Sequence, residues 1–275
     1  MDLGLRSRVA VVSGASRGIG AATARALAAE GCRVVITSRS AADIDRAAAA
    51  IGAETAGEVF GVSGDMTVEA DVVRVVGAAV ERFGAIDIAV SNVIGHVIEP
   101  DKEGSGPGAG RFATMPAEAF REEYDRLLRS AWLLAREVVP DMRRRRWGRL
   151  INIGSGVARE PATNLPHVLP NTVRAPVAGL LRAYAHRLAA YGITANNALT
   201  GSILTERNAA YWTWLAKDTG RPRDELLAEV TAGIPLRRMG EPREQAGLIA
   251  FLCSERARHI TGQSIPIDGG IHRHL

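Results

Sequence analysis

The chain has 275 residues, 47% of them hydrophobic and 23% charged. That balance suits one large or two small globular domains and excludes disordered, collagenous and coiled-coil chains. Its 34 basic and 30 acidic residues leave a formal charge of +4, too slight a surplus to argue for nucleic acid as a partner.

No uncharged apolar run reaches the roughly 18–20 residues needed to cross a bilayer. The apolar stretch near the N-terminus is too short for a secretory signal and runs straight into a glycine motif. Cys32 and Cys253 give neither a disulfide framework nor a zinc-binding spacing. The expectation is a cytoplasmic protein with no membrane partner and no metal site.

Short apolar runs predict strands at VAVV (9–12), RVVIT (33–37), EVFGV (58–62), IDIAVS (86–91), RLINIG (149–154), ITANNAL (193–199) and SIPI (264–267). Helical patterns lie between them, near 18–30, 41–51, 67–83, 116–146, 173–191 and 243–255. Such alternation predicts a doubly wound α/β fold: a seven-stranded parallel sheet with helices on both faces, in a single domain over 1–275. GSGPGAG (104–110) reads as a loop insertion. The arginine run Arg143 to Arg146 reads as a solvated helix end, with a phosphate-bearing substrate such as a CoA thioester as the alternative. Segment 200–235 carries Tyr211, Trp212 and Trp214 near the carboxyl ends of strands, where ligands bind. It reads either as an apolar substrate lid or as packed helices without ligand contact.

The first strand leads into Ser13-Gly14-Ala15-Ser16-Arg17-Gly18-Ile19-Gly20 and then a helix. Glycines let the backbone turn tightly and approach a pyrophosphate, and the helix start offers free N–H groups to it. In a seven-strand α/β pattern this motif is a strong dinucleotide signal.

GASRGIG (14–20), Asp65-Met66, SNVI (91–94), INIGS (151–155), NNALTGSILTE (196–206), PLRRMGEP (235–242) and ITGQSIPIDGG (260–270) together resemble the short-chain dehydrogenase/reductase family over essentially the whole chain. The acyl-carrier-protein reductase branch is nearest in style. The resemblance implies that Asp65 and Met66 flank the adenine, that Asn92 sits by the cofactor ribose, and that Thr205 reaches the nicotinamide amide. It also implies a homotetramer or homodimer built on the helices at 116–146 and 173–191. NAD-preferring sites place a carboxylate after the second strand. Here that strand ends Thr37-Ser38-Arg39-Ser40, and the first carboxylate is Asp43. Arg39, with Arg17, suits a 2′-phosphate instead, so the expected cofactor is NADP(H).

The family's carbonyl reductases resemble one another in an Asn, a Ser, a Tyr and a Lys. Ser155 matches the serine. Arg174-Ala175-Pro176-Val177-Ala178-Gly179-Leu180 fits the pattern that follows the tyrosine and lysine, which places Arg174 at the lysine position and Pro170 at the tyrosine position. Counting back from Pro140 places Leu127 at the asparagine. No tyrosine lies between Tyr124 and Tyr184. An alkoxide needs a proton donor, and proline has none. An enolate needs hydrogen-bond donors to its oxygen, which Ser155 can supply. The chain is in this respect similar to enoyl-CoA reductases of the family, those acting on 1-cyclohexenylcarbonyl-CoA among them. The leading expectation is therefore NADPH-dependent reduction of the C=C bond of an enoyl thioester, carried on CoA or on a carrier protein. Two alternatives stand beside it: a C=O or C=N reductase with a rebuilt proton relay, and a non-redox cofactor-binding homologue. Arg174 is expected to hold the nicotinamide ribose. His167 and Tyr124 are candidate proton donors, the alternatives being a loop histidine and ordinary packing. Trp132 reads as core or subunit interface, and His272, Arg273 and His274 as an exposed tail.

Overall fold

The computed structural model describes residues 2–93, 117–160 and 168–272. His167, the 104–110 loop, Ile94, Arg273 and His274 lie outside the described residues. Strands β1 (Val9–Ser13), β2 (Arg33–Ser38), β3 (Val59–Ser63), β4 (Ile88–Ser91), β5 (Gly148–Ser155), β6 (Ile193–Thr200) and β7 (Ser264–Ile267) form one sheet in the order β3-β2-β1-β4-β5-β6-β7. Every pairing is parallel. The expected fold is the observed one.

The continuous apolar runs follow from burial on both faces. Along β1, Ala10 and Val12 point to one face and Val11 to the other, as the period of two requires. Ala10 and Val12 meet helices α1 (Gly18–Ala29) and α9 (Pro242–Cys253) through Ala24, Leu27, Ile249 and Leu252. On the other face Val11 joins Val72 and Val75 of α3 (Glu69–Phe83), and Leu133, Leu134 and Val138 of α5 (Ser130–Arg145). Helix α2 (Ala41–Thr55) covers the outer strands, and α6 (Val168–Leu188) covers β5 and β6. The 200–235 segment folds as α7 (Glu206–Thr219) and α8 (Arg223–Ala232).

The predicted helix 116–146 is in fact two helices. Helix α4 (Ala117–Tyr124) passes through a π-helical turn, Asp125–Arg129, into α5. A π turn inserts one extra residue and shifts the helix face for what precedes it.

The strand order reverses between β1 and β4, so the strand ends at Ser13 and Ser91 open the crevice in which such sheets bind ligands. Arg143 to Arg146 sit at the opposite end. Arg145 pairs with Asp141 and with buried Asp87 just ahead of β4, Arg143 donates to the Tyr191 hydroxyl at 2.8 Å, and Arg146 donates to the Ala190 carbonyl at 2.9 Å. Arg143, Arg144 and Arg146 are exposed, as a solvated helix end predicts, and the run lies remote from the crevice. Asp87 also accepts from the Val9 N–H at 3.0 Å. Asp87→Ala leaves that buried N–H unsatisfied and removes one of the two carboxylate partners of Arg145, and should cost about 1–3 kcal/mol of stability, read by urea unfolding.

Among the described residues no helix is long and apolar enough to cross a membrane, and no cluster of metal-ligating side chains occurs.

Candidate active site

The glycine turn is built by sterics. Gly14 and Gly18 have φ of +58° and +60°, a region that favours glycine. A Cβ on Gly14 would lie 2.1 Å from the Asn92 carbonyl oxygen, and one on Gly20 would lie 2.3 Å from that of Gly14. Asn92, at the end of β4, pins the turn: its Nδ2 donates to the Gly14 carbonyl at 2.9 Å, and its N–H donates to Ser13 Oγ at 2.8 Å. The ribose role expected of Asn92 is thus joined by a positioning role that spends its amide N–H. Ser16 is half-buried in the loop, and Ile19 packs into the core below it.

Arg17 and Arg39 are both exposed, and neither forms an ion pair with any described residue. They stand at adjoining strand ends, which are held together by Ala15 N–H to Thr37 O at 3.1 Å and Gly64 N–H to Ser38 O at 2.8 Å. Ser38 Oγ donates to Ser40 O at 3.3 Å. Beyond β3, Asp65 Oδ1 accepts from the Thr67 N–H and hydroxyl at 2.9 and 2.7 Å, and Met66 is buried. Thr205 caps α7 by accepting from the Asn208 N–H at 3.1 Å, with its methyl group facing Gly18. This set fits NADPH. It offers a turn open to a pyrophosphate, two unpaired guanidinium groups at the 2′ end, and no carboxylate there.

Next to this turn, a cleft is lined by Ser91 and Val93, by Leu127, by Asn152 to Gly154 of β5, and by Arg174 and Val177 of α6. The positions assigned by resemblance to the asparagine and lysine therefore meet in one place. Leu127 packs with Ala131, Val173 and Val177. An asparagine amid those side chains would need partners they cannot give. Ser155 ends β5, half-buried, and its hydroxyl bonds to no described residue. Pro170 stands one turn before Arg174 in α6.

Tyr124 is not brought into the cleft. It is 45% exposed, whereas its neighbour Glu123 is fully buried. Three-residue spacing predicts Tyr124 and Leu127 on one face, but the π turn between them moves Glu123 inward instead. Glu123 faces Arg174 and Arg207 electrostatically. Burial pushes the Arg174 guanidinium down; Glu123 opposes that shift and Arg207 adds to it. Burial likewise lowers Arg207, against Glu123 and with Arg17. Glu123 and Arg207 escape a sequence reading, although Arg207 follows Thr205 by only two residues.

His272 corrects a second expectation. It is not part of an exposed tail: its side chain is 14% exposed and its Nδ1 is paired with Asp268 Oδ2. Burial pushes the Asp268 carboxyl up, but hydrogen bonds from the His272 ring and from the N–H groups of His272 and Gly270 outweigh it and hold the carboxyl below its usual range. The available signal was the four-residue spacing of Asp268 and His272.

A family model described as Enoyl-(Acyl carrier protein) reductase matches residues 14–272. The chain is 33% identical over 267 residues to the rabbit (Oryctolagus cuniculus) dehydrogenase/reductase SDR family member 4, covering 97% of this chain and 94% of that protein. The chain belongs to the short-chain dehydrogenase/reductase family. Another relative within this family is the 3-oxoacyl-[acyl-carrier-protein] reductase of Vibrio cholerae, 30% identical over 98% of this chain and 99% of that one. The fold also matches L-sorbose reductase from Gluconobacter frateurii, solved with NADPH and L-sorbose, at a TM-score of 0.91 and 30% identity over 100% of both chains.

Proposed function

We propose that this protein is an oxidoreductase of the short-chain dehydrogenase/reductase family that uses NADPH to reduce the C=C bond of an enoyl thioester. The observation that carries the reading is what stands at and beside the cleft: Arg174 and apolar Leu127 line it, Ser155 follows its lining residue Gly154 with a hydroxyl that bonds to no described residue, and position 170 of α6 is a proline. NADPH is read from unpaired Arg17 and Arg39, and the matching L-sorbose reductase is itself an NADPH complex.

When bound, NADPH supplies the hydride, delivered to the β-carbon. Ser155 Oγ donates to the thioester oxygen, where negative charge gathers as the enolate forms. Arg174 holds the nicotinamide ribose and fixes its distance from the substrate. Leu127 and Val177 keep water from the reacting face. In this reading α7 and α8 form the lid, with Tyr211 packed edge-on against Trp212 at 5.2 Å. Trp132, 41% exposed on α5, suits the subunit contact of a homo-oligomer.

The 3-oxoacyl-[acyl-carrier-protein] reductase of Vibrio cholerae and the L-sorbose reductase of Gluconobacter frateurii favour a second reading, reduction of a carbonyl. NADPH oxidation measured side by side on a 2-enoyl-CoA and a 3-ketoacyl-CoA separates the two. The expected result is turnover of the first and negligible turnover of the second. The reverse result favours the carbonyl reading, and turnover of neither with NADPH still bound moves the weight to a non-redox role. Deuterium on the transferred position of NADPH should appear on the β-carbon of the product, and deuterium from D₂O on the α-carbon.

A further inference from the structure

We propose that His272, held by Asp268, is the proton donor of this active site. The inference rests on the reductase reading above and supplies the proton that the cleft residues cannot.

The topology brings the pair to the site. β5, β6 and β7 are adjacent and parallel, with Ser155 opposite Thr200 and Thr200 opposite Ile267, so all three strands end at one level. Asp268 follows at once and packs on Gly201, where a Cβ would lie 2.5 Å from the Asp268 Cα. Gly269 and Gly270, with φ of +67° and +91°, then turn the chain. This turn returns His272 across the end of β6 onto Gly156, the residue after Ser155. A Cβ on Gly156 would lie 1.8 Å from the imidazole Cε1 and 2.3 Å from Nε2. Only glycine leaves room for the ring.

The ring is also oriented. Asp268 Oδ2 accepts from the His272 N–H at 3.0 Å and pairs with its Nδ1, while Oδ1 accepts from the Gly270 N–H at 2.9 Å. A carboxylate on Nδ1 fixes the ring orientation and leaves Nε2 on the Gly156 side to carry the exchangeable proton. The step balances as follows. Hydride adds to the β-carbon, the C=C π pair becomes the bond between the α-carbon and the carbonyl carbon, and the C=O π pair moves to the thioester oxygen, giving the enolate on which Ser155 acts. The enolate pair then takes the proton from Nε2 at the α-carbon, and the imidazolium becomes neutral imidazole. Solvent reprotonates it, so one proton and one hydride are consumed per turnover.

The test uses the full-length protein with His272→Gln, His272→Ala and Gly156→Ala. The last keeps both members of the pair but displaces the ring, and Gly156 has no positive φ to make alanine strained. General acids contribute about 10²–10⁴ in rate. His272→Gln should therefore lower kcat at least about 100-fold with KM and NADPH affinity changed less than about threefold. Imidazole in the buffer should restore part of the rate to His272→Ala, and Gly156→Ala should lower kcat with Ser155 in place. In the wild type, the saturated thioester product should shift the His272 Nε2 resonance by ¹⁵N NMR, a readout that needs no turnover. A kcat for His272→Gln within threefold of wild type overturns the proposal. So does a fall in kcat that tracks lost NADPH affinity without imidazole rescue, and so does an unmoved Nε2 resonance. If the wild type reduces the 3-ketoacyl thioester instead, the C=C reading fails while His272 is judged by the same variants, the proton then going to the alkoxide oxygen.

Discussion

Ser155→Ala lowers kcat for enoyl-thioester reduction about 10²–10³-fold while leaving KM and NADPH affinity nearly unchanged. Loss of one oxyanion donor typically costs that much, because the donor acts where charge develops and little before. The geometry sets the expectation. Ser155 is the last residue of β5, a strand buried along its length, so its position is rigid. Its hydroxyl bonds to no described residue, so no internal partner competes for it. Stopped-flow oxidation of NADPH at saturating substrate measures the effect. An equal loss in kcat and in cofactor affinity would instead mark Ser155 as a support for the bound nucleotide. The companion variant Pro170→Tyr should leave the enoyl rate unimproved, because protonation at carbon does not use a phenol at that place.

The sheet was legible in the sequence because its central strands are buried on both faces and so read as unbroken apolar runs, while the edge strands β3 and β7 are only partly buried. β1 and β5 are buried along almost their whole lengths. The glycine turn was legible because φ at Gly14 and Gly18 demands glycine and the space at Gly20 does too. What escaped depends on contacts between distant residues or on a local shift of helical phase. The π turn at Asp125–Arg129 carries no proline or glycine to announce it, yet it moves Glu123 inward and Tyr124 outward. Arg143, Arg144 and Arg146 are exposed as a solvated run predicts, but Arg145 is held by Asp87, more than fifty residues earlier. His272 looks like a polar tail until two glycines after β7 fold it back onto Gly156. In each case composition and spacing report the residue type, and only the fold reports its neighbour.

Removing both Arg17 and Arg39 narrows the preference for NADPH over NADH by about 10²-fold. A charge-assisted hydrogen bond to a phosphate contributes roughly 1.5–3 kcal/mol. Both guanidinium groups are exposed, so the lower figure applies, about tenfold for each. Neither is held by a carboxylate among the described residues, so no internal ion pair must break before the 2′-phosphate binds. The same exposure makes the preference salt-sensitive: raising ionic strength from 0.01 to 1 M shortens the screening length from about 30 to 3 Å and should weaken NADPH binding far more than NADH binding. Arg39→Asp goes further. It places a carboxylate at the end of β2, where it repels the 2′-phosphate and accepts from the ribose hydroxyls of NADH. Because the backbone there is fixed by the Ala15–Thr37 and Gly64–Ser38 hydrogen bonds, the new side chain occupies the place of the old one. Fluorescence titration of both nucleotides should therefore show the preference inverted in Arg39→Asp. Equal affinities for the two nucleotides in the wild type would remove the two arginines from the 2′ site.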